Sequence, residues 1–142
     1  MRKAARPSNE GLLPVSVLKK VRIPFVRRAV LIHGVSQEDM FILDLGLGGA
    51  FVERETPLPD TETAVLRFHL PGNEIPLELA CRVGWWRPKD EATRLPSGVG
   101  LQFLEVPASD QARLEAFLSE YLGRETEGRR FHRAPPLMEE EP

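Results

Sequence analysis

Ile75-Pro76-Leu77-Glu78-Leu79-Ala80-Cys81-Arg82-Val83-Gly84-Trp85-Trp86-Arg87 is the stretch that decides the architecture. Leu77, Leu79, Cys81, Val83 and Trp85 fall on one side of an extended chain, and Glu78, Ala80, Arg82, Gly84 and Trp86 on the other. That period of two suits a strand with one face in a core. Trp85 and Trp86 are adjacent and so point to opposite faces, one toward the core and the other toward solvent or a covering element. Cys81 shares the face of Leu79 and Val83 and reads as a small buried apolar residue. Working outward, Pro71-Gly72-Asn73 supplies turn chemistry before this strand and the polar run 88–97 ends it. Four segments precede it: Phe25–His33, Met40–Leu45, Ala50–Glu53 and Thr63–Leu70. Val99–Leu104 follows. Turn clusters at intervals of about ten residues separate these segments, including 34–39 and 56–61, which is the pattern of a small all-β domain.

The last element changes period. Leu114, Phe117, Leu118, Tyr121 and Leu122 gather on one side of an α-helix, with Glu115, Ser119 and Glu120 expected to face outward. Ser109 or Asp110 is placed to cap its start and Gly123 to stop it. The expected fold is therefore mainly β: a six-stranded antiparallel barrel closed by a C-terminal α-helix. Residues 1–18 are polar, basic and broken by Pro7 and Pro14, and read as a flexible N-terminal arm. Residues 19–122 form the barrel plus helix. Residues 123–142, with Pro135, Pro136 and the run Glu139-Glu140-Glu141, read as a disordered tail.

The 142 residues allow one domain. A formal net charge of −2 argues against a strongly basic nucleic-acid binder. The charge is unevenly spread: residues 1–33 hold eight basic side chains against Glu10 alone, so this third can receive an anion. One cysteine precludes an intrachain disulfide, and His33, His69 and His132 lie too far apart for a helical metal pair, so no metal site is expected. No apolar run spans a bilayer and no secretory signal follows the basic start, which leaves a cytoplasmic protein without membrane insertion as the expectation. Catalysis finds no support. No serine stands in a nucleophile elbow and no histidine has an evident acidic orienter. The pairs Glu38-Asp39 and Asp90-Glu91 read as solvated turn carboxylates. The chain is expected not to be an enzyme, and no cofactor is called for.

Two segments carry binding chemistry. Phe41-Ile42-Leu43-Asp44-Leu45-Gly46-Leu47-Gly48-Gly49-Ala50-Phe51-Val52 puts a carboxylate at the end of an apolar strand and three glycines in the four residues after Leu45. Such a carboxylate can accept N–H donors from a base edge while glycines allow close approach; a tight hairpin with a bulge explains the same residues without a ligand. Lys19-Lys20-Val21-Arg22-Ile23-Pro24 offers a planar guanidinium, which clamps phosphate or stacks on a base, beside two lysine point charges; a solvated basic arm is the plain alternative.

Together these segments resemble the PilZ family of bacterial cyclic di-GMP receptor domains. The family pattern is RxxxR just before the first barrel strand, DxSxxG between the second and third, six strands and a final helix. Arg22 corresponds to the second arginine, and Asp44-Leu45-Gly46-Leu47-Gly48-Gly49 to DxSxxG. Val83-Gly84-Trp85-Trp86-Arg87-Pro88 and Gly98-Val99-Gly100-Leu101-Gln102-Phe103-Leu104 are similar to the late barrel strands, so the resemblance covers residues 19–122. It implies that Arg22 stacks on guanine and holds phosphate, that Asp44 accepts guanine N–H groups and that Gly49 permits the turn. Leu18 replaces the first arginine and Gly46 the serine. Losing one charge-assisted contact and one hydroxyl bond weakens affinity on the order of 30- to 1,000-fold, with Lys19 or Lys20 able to return charge but not stacking. The resemblance implies a non-catalytic adaptor in cyclic di-GMP-linked control of motility, surface structures or exopolysaccharide, with direct binding of the nucleotide weakened or lost. It acts through a protein partner and not through DNA or RNA. The alternative is a small β-barrel that binds single-stranded nucleic acid or oligosaccharide, a function that calls for several exposed aromatics and a basic groove, whereas the chain has one tyrosine, two tryptophans and a net charge of −9 beyond residue 33.

Overall fold

A computed structural model describes residues 12–59 and 62–132, with side chains to residue 124. After a single turn of helix, α1 (Val15–Leu18), come six strands: β1 (Arg22–His33), β2 (Ser36–Gly46), β3 (Gly49–Glu53), β4 (Thr63–Phe68), β5 (Leu77–Arg87) and β6 (Gly98–Phe103). A helix, α2 (Ala108–His132), follows. All neighbours are antiparallel and the barrel closes in the order β1-β2-β3-β6-β5-β4, with β4 returning to β1. It consists of two three-stranded meanders, β1-β2-β3 and β4-β5-β6, joined along two seams: β3 to β6, where Val52 faces Val99, and β1 to β4, where Leu31 faces Leu66.

Alternation fills the inside as expected. Ile23, Phe25, Leu31, Ile42, Leu45, Leu66, Phe68, Leu77, Leu79, Val83 and Leu101 are buried, as is Cys81, whose thiol is pushed up to about 11 by burial. Helix α2 brings Leu114 and Leu118 into this core, and Phe117 meets Phe25 edge to face at 5.5 Å.

Several expectations need correction. The 34–39 break is a two-residue turn, because Gly34 adopts φ +59° and lets His33 pair with Ser36, so β2 starts four residues early and takes Glu38 and Asp39 out of the turn. In β5 the register shifts between Val83, opposite Leu101, and Trp85, opposite Gly100, so Gly84 is an extra residue and the phase resets. Trp86 then packs against the core. Trp85 leaves the face of Leu77 and Val83, lies outside the barrel against Gly100 and stacks on Phe51 at 5.1 Å. Ser109 and Asp110 lie inside the first turn of α2 rather than capping it; the cap position falls to Pro107, whose carbonyl accepts the Gln111 N–H, and the Asp110 charge still suits the helix N-terminus.

Gly123 does not stop α2. It has no left-handed φ, the Glu120–Arg124 pair bridges it at 3.2 Å, and the helix runs to His132, so 123–132 is helical where a disordered tail is expected. A glycine in a helix interior costs about 1 kcal/mol but does not by itself end the helix, and Gly128 also lies within α2. Ser119 is buried, not outward, because the N-terminal segment crosses α2 and the Leu13 N–H donates to its Oγ at 3.0 Å. Of the basic arm, residues 1–11 lie outside the described residues, as do 133–142 of the tail. Residues 12–18 are held at two points, the Leu13 bond to Ser119 and the side chain of Leu18, which is 0% exposed, while residues 13–17 are exposed.

Candidate functional site

The site residues converge where β1 begins and β2 ends. Arg22 lies opposite Gly46 and Pro24 opposite Asp44 across the β1–β2 ladder, so the spacing of 22 residues between Arg22 and Asp44 is the length of a hairpin folded back on itself. The Arg22 guanidinium donates through Nε at 2.9 Å and Nη2 at 2.5 Å to Asp44 Oδ1. Their side chains are 43% and 37% exposed, so water screens the pair and it contributes about 0–1 kcal/mol. A ligand can open it at little cost.

The two replaced motif positions are a different matter. A Cβ built on Gly46 would lie 2.7 Å from the Val21 carbonyl oxygen and 2.9 Å from Arg22 Cδ. The room a serine side chain needs is filled by the entry into β1. Leu18, four residues before Arg22, ends α1 and is wholly enclosed between the barrel and α2; backbone bonds from Lys19 N–H to the Val15 carbonyl and from Val21 N–H to that of Leu18 fix the turn after it. Lys19 and Lys20 are exposed in that turn. The glycine run also works differently from expectation. Gly49 has no positive φ; a Cβ there would stand 2.1 Å from the Leu101 carbonyl oxygen, so it is required for the close approach of β3 to β6 and not for a turn. Gly48 faces open space.

A second polar cluster escapes the sequence. Arg54 donates from Nε (3.0 Å) and Nη2 (2.8 Å) to Glu38, and from Nη1 to the carbonyls of Thr56 and Pro57. His33 places Nε2 2.9 Å from Glu38 and Nδ1 3.2 Å from Glu62. The histidine thus has acidic partners after all, and Glu38 is no solvated turn residue: the Arg54 guanidinium, helped by His33, holds its carboxyl down at about 2. These residues lie 5, 16 and 29 positions apart and meet only when the barrel closes. The cluster ties the β1–β2 hairpin to the β3–β4 linker. Asp90, by contrast, accepts from the N–H groups of Ala92 and Thr93, as turn chemistry requires. Among the described residues no group of three histidine, cysteine or acidic side chains is placed to hold a metal ion, and no helix is long and apolar enough to cross a membrane.

Comparison with known proteins gives this geometry a family. Among solved structures the chain is similar to the Bacillus subtilis inhibitor of motility MotI/DgrA, at 20% identity and a TM-score of 0.62, over 78% of this chain and 51% of that one. It is similar to Escherichia coli YcgR in complex with c-di-GMP, at 14% identity and 0.59, over 79% and 48% of the two chains. It is also similar to the PilZ domain of YcgR with c-di-GMP, at 14% and 0.55, over 81% and 96%. The chain spans about half the length of MotI/DgrA and of YcgR, and at these identities the likeness is one of fold. No curated protein matches it significantly. The model of the PilZ domain matches residues 18–120, from the docked leucine to the body of α2, and the chain therefore belongs to the PilZ domain family.

Proposed function

We propose that the chain is a non-catalytic cytoplasmic adaptor in c-di-GMP-linked regulation of motility, surface structures or exopolysaccharide, and that it works through protein contact with little or no direct affinity for the nucleotide. The observation that carries this reading is Leu18. At the position of the motif's first arginine the chain has an apolar side chain that is fully enclosed and anchors the segment leading to Arg22. A receptor arm that folds onto its barrel only with ligand offers two surfaces, one per state; an arm already anchored offers one. The filled space beside Gly46 supports the same reading, since the approach a serine would provide to a nucleotide is taken by the chain itself. Arg22, Asp44 and Gly49 keep the motif's residue types, with Lys19 and Lys20 beside them as exposed charge.

The test is isothermal titration of the protein with c-di-GMP at physiological ionic strength, with an Arg22→Ala/Asp44→Ala variant as control. The expected result is no saturable heat in the micromolar range. Saturable micromolar or tighter binding that the double variant abolishes would overturn the reading and make the chain a direct receptor.

A further inference from the structure

One outer face of the barrel is apolar and carries charges of both signs. Along β1 the side chains of Ala29 and Leu31 fill the core, so Arg28, Val30 and Ile32 between and beside them point outward. Directly opposite residues of an antiparallel pair share a face, and the register therefore extends β1 sideways in rows. Phe41 stands beside Arg28, with the guanidinium 5.7 Å from the centre of its ring. In the next row Val30 lies between Asp39 on β2 and Arg67 on β4, and Arg67 bonds Glu78 at 2.8 Å. In the third, Ile32 leads to Val65 on β4 and Ala80 on β5. Phe41 is 41% exposed, and Val30, Ile32 and Val65 are half-buried, so an apolar band crosses the outside of the sheet.

The charges beside this band are unsatisfied within one chain. On its β2–β3 side Asp39, Phe41, Glu53 and Glu55 line an open hollow of about 370 Å³. Glu38 and Arg54, the other charges of the hollow, hold each other. Among the described residues Asp39, Glu53 and Glu55 form no ion pair, and neither does Arg28, one strand away on β1. Acid and base thus sit side by side on one surface without meeting. A two-fold axis lying in the face between Arg28 and Asp39 brings each onto the other's copy, so a single patch supplies both members of two ion pairs. Phe41 and Val30, the other corners of the same four-residue cell, then fall close to the axis, where each meets its own counterpart. We infer that this face is a two-fold contact between copies of the chain, with Arg28 of each entering the acidic hollow of the other and the apolar band closing between them. A partner of one charge sign fits a face of mixed sign less well, and the same carboxylates repel nucleic acid and anionic lipid. The barrel is closed, so the copies meet through side chains and not by strand addition. Four strands about 5 Å apart and three rows about 7 Å apart give a footprint of roughly 400 Å², half of what a standard interface buries on each side, so the dimer is weak and reversible.

Sedimentation velocity of the full chain, from micromolar to submillimolar concentration, reads the association. A monomer–dimer equilibrium that weakens with added salt is expected. Arg28→Asp and Asp39→Arg should each weaken it at least about tenfold, because like charges then face each other, and Phe41→Ser several-fold. These side chains are exposed, so thermal unfolding should not change. The decisive sample mixes the two charge variants. Neither should dimerise alone, yet an equimolar mixture should regain dimers, since each hollow then meets the opposite charge across the axis. Arg22→Ala should associate as wild type does, which separates this contact from the nucleotide reading. A chain that stays monomeric throughout, a dimer indifferent to both reversals, as one built by exchange of strands would be, or a mixture that stays monomeric would overturn the inference.

Discussion

Replacing Leu18 by arginine puts the motif's missing charge back, and the fold sets the consequence. The leucine is completely enclosed as part of the apolar core cluster, and a guanidinium cannot take its place without a buried partner. The substituted side chain therefore moves to water and takes α1 with it. Lost on undocking are the burial of one leucine, worth about 1.5–3 kcal/mol, and the bond from the Leu13 N–H to Ser119, worth about 0.5–1.5 kcal/mol, for a total near 3 kcal/mol. For a chain of this size that lowers Tm by roughly 10–15 °C. Urea unfolding followed by tryptophan fluorescence measures the loss, and hydrogen exchange locates it: the amides of Val17, Lys19 and Val21, all bonded within the docked segment, should lose protection while those of the strands keep theirs. The freed arm then carries arginines four residues apart, and c-di-GMP affinity should rise about 10- to 100-fold over wild type, whereas Leu18→Ala should destabilise comparably without that gain. A Leu18→Arg protein that unfolds within about 0.5 kcal/mol of wild type with these amides still protected would refute the argument that Leu18 anchors the arm.

Glu38 makes stability depend on acid. Its carboxyl titrates near 2 in the fold and in the usual carboxylate range when unfolded, so its contribution is complete above about pH 5 and is lost as pH falls toward 2. With the side chain 31% exposed, screening leaves about 1–2 kcal/mol of the roughly 3 kcal/mol that the full shift represents, and Glu38→Gln should remove that part of the slope of urea midpoints between pH 6 and pH 3. Gly49→Ala drives a methyl into the Leu101 carbonyl at the β3–β6 seam and should cost about 2–3 kcal/mol in the same assay, whereas Gly48→Ala, which meets only open space, should stay within about 0.5 kcal/mol of wild type.

The strands were readable because their information is local. Leu77 to Val83 alternates in the sequence as in the barrel, and the Arg22–Asp44 juxtaposition follows from a hairpin whose two arms have matching lengths. Where the backbone gained a residue relative to its partner strand, the reading failed: the extra Gly84 reverses the roles of the tryptophans, and β1 carries a register shift after Pro24 that its own pattern does not announce. A bulge is a relation between two strands, so one strand's pattern does not reveal it. The same holds for Ser119, buried because Leu13 crosses it from 106 residues away, and for Arg54, whose carboxylate partner Glu38 lies 16 residues back on β2. Of the candidate site, Arg22 and Asp44 were legible as motif residues, though not as partners of each other. The enclosure of Leu18 and the filled space at Gly46 were not, because both arise from where the arm lies.

The barrel's division into two meanders has a consequence for assembly. Each meander is built from neighbouring strands and can form locally, while both seams wait for distant halves to meet, with the 54–62 linker as the tether between them. Nothing in a seam distinguishes a half of the same chain from the identical half of another, so an extended linker would let two copies trade meanders and rebuild both barrels with every native pairing intact. Arg54, bonded to Glu38 and to the carbonyls of Thr56 and Pro57, fixes the tether where it leaves β3, and the His33–Glu62 contact fixes its other end, so an exchange would first have to loosen these polar bonds at the hinge.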